Sequence, residues 1–354
     1  MGGSDHPGPL CPVCGAVVFV ESLRCANCST EVGFHPPSNR FLPARPEGVE
    51  VEGVLWRPCV NRDHACSWLA PDGGDDGDGS GRCLSCRLTR RGPAPHDTVS
   101  LGKLRRVAVD KRRLLMQLID LGLPITPYWE RTGGLAFDLL SSRPGARVTT
   151  GHANGVITID LAESLDAYRE QLRVKLREPY RTMLGHFRHE IGHYYQPILL
   201  NDDELRAESR ALFGDERVSY REARERHYRD GAPEGWLAEY ISDYASMHPW
   251  EDFAETFAHY LHITGTLATA AHGGVVLQAE RIAGFDHGDV VPRADYSDAP
   301  FDEVLADWRW LALMFNRVNR SMGLKDLYPF GIVAPVAGKL AFVHRIVTRA
   351  GRRR

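Results

Sequence analysis

The chain has 354 residues, 43% hydrophobic and 25% charged, with a formal net charge of −3. That is globular composition, long enough for one sizeable core plus small satellite modules, and a pI of about 6.6 argues against a general binder of nucleic acid or membrane surfaces. The opening MGGSDHPGPL has no apolar h-region and no apolar run nears the roughly 18 residues of a membrane span, so a soluble, cytoplasmic protein with no membrane partner is expected.

All eight cysteines fall within residues 11–86. Cys11-Pro-Val-Cys14 and Cys25-Ala-Asn-Cys28 form two C-x2-C knuckles, each followed by a small or turn-forming residue. Four thiolates so spaced can surround one tetrahedral ion, the pattern of a zinc ribbon over residues 8–35. A second set, Cys59, Cys66, Cys83 and Cys86, predicts another four-cysteine zinc module over 54–90. Its first pair is unusually wide, which leaves His64 open as a substitute for Cys66. Free structural cysteines and a redox pair are the alternatives. The clustering disfavours the first, and the absence of any βαβ context disfavours the second. Modules this small bury too little apolar surface to fold alone, so both zinc ions would be structural. Such ribbons serve as docking modules for nucleic acid or protein.

Between the halves of the second set, PDGGDDGDGSG (71–81) reads as a flexible surface loop, and RLTRRGPAPHDTVS (87–100) as a basic connector. A helix follows, with Leu104, Val107, Leu114, Leu115, Leu118 and Ile119 on its apolar face and Lys and Arg on the other; Gly122 and Pro124 end it. ARVTTGHANGVITIDL (146–161) carries β-branched runs around Asn154-Gly155, a hairpin signature. It fills a sheet or offers an edge strand to a peptide.

Next comes His189-Glu190-Ile191-Gly192-His193. Residues four apart share one helix face, so both histidines can present a ring nitrogen to one metal ion. Glu190, about a quarter-turn away, would stand near that ion without ligating it, placed to take a proton from a zinc-bound water. Pro179 suits a first turn, and Met183, Leu184, Phe187, Ile191 and Tyr194 recur at helical intervals. With 15 histidines in the chain, chance supplies this motif on the order of 0.04 times per sequence. The bland alternative is a solvated helix with incidental histidines.

A third ligand decides the class. The metzincin continuation needs glycine at 196 and histidine at 199, where this chain has Gln196 and Leu199. Downstream, ISDYASMHPWEDFAETFAHYLH (241–262) reads as a second helix, with Glu251 and Glu255 one turn apart and Phe253, Ala254, Phe257, Ala258 and Leu261 on the packing side. One glutamate can ligate while the other orients a metal-bound histidine. Spacing alone leaves the choice open, with Glu251 ahead.

Glu251, Phe253, Ala254, Glu255 and Phe257 after a helical H-E-x-x-H resemble the gluzincin pattern of peptidases similar to anthrax lethal factor. That resemblance implies Glu251 as third ligand, Glu255 as the residue behind a histidine, and Tyr244, seven residues before Glu251, as the oxyanion stabiliser. A buried core tyrosine is the alternative for Tyr244. More broadly, WRPCVNRDHACSWL, CLSCRLTR, GHANGVITID, LGHFRHEIGHYYQ, ALFGDERVSY and HPWEDFAETFAHYLH resemble the bacterial zinc-binding metallopeptidases with an N-terminal zinc ribbon. The likeness covers most of residues 10–265. It implies an α+β chain whose zincin-like metallopeptidase domain, over 100–350, is preceded by the zinc modules. Gln196 departs from the pattern, where an aromatic residue is expected.

Of the other histidines, His186 reads as helix surface, His152 as surface beside the hairpin turn, and His248, which flanks the glutamate helix with His259 and His262, as a candidate for the cleft. FDEVLADWRWLALMFNRVNRSMG (301–323) is a strongly amphipathic helix, Pro335 opens another through Val347, and RAGRRR reads as a solvated tail. The favoured function is hydrolysis of a peptide or protein substrate with one catalytic and two structural Zn²⁺. The alternative is a zinc-ribbon binder of nucleic acid or protein with a non-catalytic protease-like scaffold. Its motivation is the basic CRLTRRG, KLRR and DKRR segments.

Overall fold

Two reverse turns of like build begin the structure. The Cys11 carbonyl accepts from the Gly15 N–H and the Cys25 carbonyl from the Ser29 N–H, both at 3.0 Å, so each knuckle is closed by its own backbone. This computed structural model describes residues 9–73, 79–142, 148–164, 182–282 and 288–352. Pro179, residues 74–78 of the acidic loop, 146–147 at the start of the expected hairpin and the last two arginines lie outside them. The chain packs as two compact units, Met1–Arg169 and Glu170–Arg354.

In the first unit, β1 (Val32–His35) and β2 (Arg40–Pro43) form an antiparallel pair, and β3 (Val49–Val51), β4 (Val54–Pro58) and β5 (Leu69–Pro71) an antiparallel sheet. A single turn, α1 (Leu84–Arg87), leads into β6 (Thr89–Arg91) and the long α2 (Thr98–Asp120). β6 then joins β7 (Ala136–Leu140), β8 (Gly151–Ala153) and β9 (Val156–Asp160) in a sheet of order β6-β7-β9-β8. Its first two pairings are parallel; β8 runs antiparallel to β9 at the edge. The hairpin turn is Asn154-Gly155, at φ +49° and +81°, the paired positive values of a type I′ turn that this dipeptide favours.

Asp97 caps α2, its carboxylate accepting from the Ser100 N–H at 3.0 Å. Val107, Leu114, Leu115 and Leu118 are buried as expected, but so are Lys103, Lys111 and Arg112, which periodicity placed toward solvent. Their chemistry accounts for two of them. Arg112 Nη2 donates to the Ala65 carbonyl at 2.9 Å, and Lys111 Nζ donates to the Ser85 carbonyl at 2.5 Å and to the Thr89 hydroxyl. Arg90 forms a forked pair with Asp138 at 2.6 and 3.0 Å, and Arg113 reaches Glu21 at 3.1 Å. Much of the basic stretch that suggested a nucleic-acid surface is therefore spent on internal contacts.

The second unit is helical among its described residues, with one isolated β-bridge, Leu277 to Val290. Its helices are α3 (Met183–Leu199), α4 (Asp203–Phe213), α5 (Tyr220–Asp230), α6 (Pro249–His272), α7 (Phe301–Ser321) and α8 (Ala334–Gly351). The chain is thus mixed α+β, with small sheets and helices. Periodicity did not pick out α4 and α5. Caps mark them: Asp202 accepts from the Leu205 N–H at 2.8 Å, and Ser219 from the Glu222 N–H at 3.3 Å, the latter inside an S-x-x-E capping signature. The helix expected over 241–262 begins later, at Pro249. His248 is extended at φ −156°, as the residue before proline prefers, and Tyr244–Met247 is a separate 3-10 turn. No helix among the described residues is long and apolar enough to cross a membrane.

α6 is buried nearly all round, with Phe253, Phe257, Leu261 and Ile263 fully enclosed. α3 crosses it at Gly192, where a Cβ would stand 2.9 Å from the Ala254 Cα and 3.1 Å from its carbonyl oxygen. Only glycine permits that approach, and the crossing sets His189 and His193 opposite Glu251.

Candidate active site and zinc sites

Three clusters of ligand-type side chains form among the described residues: Cys11, Cys14, Cys25 and Cys28; Cys59, Cys66, Cys83 and Cys86; and His189, His193 and Glu251, with the ligand atoms of each within 4.8 Å of one another. In the first, Cys11–Cys28 and Cys14–Cys25 are 3.6 Å apart; in the second, Cys66 Sγ lies 3.5 Å from Cys83 and 3.6 Å from Cys86. A disulfide needs ~2.05 Å. A tetrahedron with Zn–S bonds near 2.3 Å has edges of ~3.8 Å, so the spacing fits a shared ion. His64 is exposed, with Arg105 Nη2 3.3 Å from its Nδ1, and Cys66 occupies the position it was weighed for.

The third cluster is built by α3 and α6. His189 Nε2 and His193 Nε2 lie 3.1 Å apart, and Glu251 Oε2 is 3.0 Å from the first and 3.2 Å from the second. Edges near 3.3 Å are what zinc with N and O ligands at ~2.0–2.1 Å requires. Two imidazoles and one carboxylate are a donor set that suits zinc. Burial alone would raise the Glu251 carboxyl, but hydrogen bonds from His189 and His193 outweigh it and hold the group well below the usual range. Glu190 is on the next position of the same helix and is 9% exposed.

Glu255, one turn along α6, stays outside this triangle. Its Oε1 is 2.6 Å from His189 Nδ1, and its Oε2 accepts from the Ser242 hydroxyl at 2.7 Å. Burial opposes its charge, yet the His189 hydrogen bond brings the carboxyl down to about 2. A carboxylate on the far nitrogen fixes the ring, with Nε2 turned toward His193 and Glu251. Tyr244 packs its ring 5.8 Å from that of His189. Burial first, then the Glu251 charge, pushes its phenol well above the ordinary value, so it stays protonated and able to donate.

The remaining histidines serve elsewhere. His248 is buried as the cap of α6, accepting from the Trp250 N–H at 3.0 Å and donating to the Val218 carbonyl at 3.1 Å; it caps a helix rather than lining a cleft. His259 Nδ1 meets the Tyr328 hydroxyl at 2.7 Å, and His262 Nδ1 meets Arg188 at 2.6 Å. His186 is half-buried outside the cluster, and His152 Nε2 accepts from the Gly155 N–H at 3.2 Å. Gln196 is buried, 7% exposed.

Comparison with known proteins bears on this geometry. Residues 100–346 match the family model described as "Putative zinc-binding metallo-peptidase". The chain belongs to this zinc-binding metallopeptidase family. Residues 10–97 match a zinc-ribbon domain. The chain is also 44% identical over 340 residues to an uncharacterized protein of Mycobacterium bovis and to one of Mycobacterium tuberculosis, covering 95% of this chain and 94% of each relative. No solved structure matches.

Side chains that neither spacing nor periodicity marks surround the His189–His193–Glu251 cluster. Tyr220 OH donates to Glu251 Oε1 at 2.8 Å. The Trp250 ring packs 4.2 Å from that of His193, and Ser242 holds Glu255. Tyr220 and Ser242 stand at element starts or in turns, where periodicity carries no signal. The capping pattern Ser219-x-x-Glu222 was the available clue for Tyr220.

Proposed function

We propose that this chain is a zinc-dependent peptidase of the gluzincin kind, hydrolysing peptide bonds in peptide or protein substrates, with His189, His193 and Glu251 holding the catalytic ion. The observation that carries the reading is the convergence of two Nε2 atoms and one carboxylate oxygen at 3.0–3.2 Å, with Glu190 next to His189 on the same helix. Zinc bound there supplies Lewis acidity, polarising the scissile carbonyl and making a water acidic enough to attack near neutral pH. Glu190 accepts the proton of that attacking water and returns it to the leaving amine. Tyr244 donates its phenol proton in a hydrogen bond to the oxygen that gains charge at the carbonyl. Glu255 holds His189 in the ligating tautomer.

The cysteine clusters take two structural zinc ions, in modules at 8–35 and 54–90, ahead of a peptidase domain over 100–350. Cysteines gathered for metal rather than paired as disulfides suit the cytoplasm, the compartment proposed here. The test is digestion of a defined peptide mixture by the zinc-loaded chain and by Glu190→Gln, read by mass spectrometry. The variant should keep its zinc and lose hydrolysis by roughly a hundred- to ten-thousandfold. Cleavage by Glu190→Gln at the wild-type rate overturns the mechanism.

A further inference from the structure

A carboxylate that ligates through one oxygen has a second oxygen to satisfy, and rotation about its terminal bond exchanges the two. Glu251 resolves this asymmetrically: Oε2 faces both histidines at 3.0 and 3.2 Å, whereas Oε1 accepts from the Tyr220 hydroxyl at 2.8 Å. We propose that Tyr220 is a positioning residue of the His189–His193–Glu251 centre, its hydroxyl holding the outer oxygen of Glu251 so that the inner one stays aimed at the metal.

The phenol is itself held. Ser219 caps α5, so Tyr220 enters as the first helical residue. Its ring meets the edges of His248 at 5.2 Å and Trp250 at 5.7 Å, the residues on either side of Pro249 where α6 begins. His248 donates to the Val218 carbonyl at 3.1 Å, which fastens the segment before α5 to the start of the helix that carries Glu251. Tyr220 and Tyr244 have separate tasks: Tyr220 acts through Glu251, and Tyr244 acts on the substrate.

Tyr220→Phe isolates the hydroxyl, because it keeps the ring packed on His248 and Trp250. The assignment rests on the metal-centre reading, so the readout is metal binding in the full chain rather than hydrolysis alone. In competition with a chromogenic chelator, Tyr220→Phe should hold the labile zinc about ten- to a hundredfold more weakly, with both cysteine sites still loaded as the control for folding. After cobalt substitution at the labile site, its visible bands should shift relative to wild type. Tyr244→Phe should leave affinity and bands unchanged while lowering kcat. Tyr220→His, whose ring N–H can still donate, should recover part of the affinity. Wild-type affinity and unchanged cobalt bands in Tyr220→Phe overturn the proposal, as does an equal loss in the Phe and His variants. If the zinc-loaded wild type cleaves no peptide yet Tyr220→Phe loses affinity, the peptidase reading falls and the Tyr220 assignment stands. A wild type that takes up no ion at this centre ends both.

Discussion

Gly192 lies directly against Ala254: a Cβ at 192 would be 2.9 Å from the Ala254 Cα and 3.2 Å from the Phe257 Cβ. Two of the three nearest atoms are backbone, which cannot turn away as a side chain end can. Gly192→Ala would ordinarily strengthen a helix by about 1 kcal/mol. Here it must push α3 off α6, a packing cost of about 1–3 kcal/mol, and the displacement falls between the proposed ligands His189 and His193. The variant should melt below wild type and bind the labile zinc more weakly. Ala254→Gly should not rescue it, since the obstructing atoms are Cα and O; rescue would show that side-chain volume, not helix separation, is at stake.

Beneath the centre, Lys339 Nζ sits 2.6 Å from Asp252 Oδ2 and donates to the Glu239 carbonyl at 2.9 Å, with the Tyr240 ring 4.3 Å away. Asp252 is fully buried and the lysine side chain 7% exposed. Removing one partner of such a pair strands the other charge, which costs about 3–5 kcal/mol. Lys339→Met should lower the urea midpoint accordingly, and Lys339→Met with Asp252→Asn should regain much of the loss. A double variant no better than the single one would mean the lysine acts through its carbonyl and ring contacts instead.

The second cysteine site has a buried cation beside it. Lys111 donates to the carbonyl of Ser85, which lies between Cys83 and Cys86. Burial draws its ammonium down to about 8, and the charges of Cys86 and Cys83 oppose that shift. Four thiolates around Zn²⁺ leave a net double negative charge, which a buried ammonium offsets. Lys111→Met should speed zinc release from this site to a chelator by roughly tenfold or more and leave the Cys11–Cys28 site unchanged. Identical release from both sites would remove the electrostatic role.

Much of this was legible in the residues, for identifiable reasons. Ligand-type side chains come in fixed spacings, so the grouping of the two cysteine sets and of His189, His193 and Glu251, with Glu255 one turn on, could be read directly. Apolar periodicity and the Asn154-Gly155 turn act locally, so helix α2 and the hairpin could be read as well. What periodicity hid was chemistry that breaks the pattern. Lys111 and Arg112 are buried because a carbonyl awaits each, and the start of α6 is set by Pro249 rather than by the amphipathic run through 241–248. Tyr220 touches Glu251 across 31 positions of sequence, a contact made by tertiary packing alone.

Mild chelation should separate the three sites. Four charged, soft thiolates hold Zn²⁺ more tightly than two imidazoles and one carboxylate. Dialysis against a moderate chelator should therefore remove one ion first, and hydrolytic activity should leave with it. Activity that survives loss of that ion, or fades only when the cysteine sites empty, would contradict the assignment.

The most direct measurement is zinc per chain, by elemental analysis, in wild type, Glu251→Ala and Glu255→Ala. Two four-cysteine sites and one His-His-Glu site predict about three ions in wild type and about two in Glu251→Ala. Glu255→Ala should retain the third with affinity lowered about ten- to a hundredfold. Three ions held by Glu251→Ala, with the third lost from Glu255→Ala, would reverse the two glutamates. Three ions held by both would show that His189, His193 and Glu251 are not the centre.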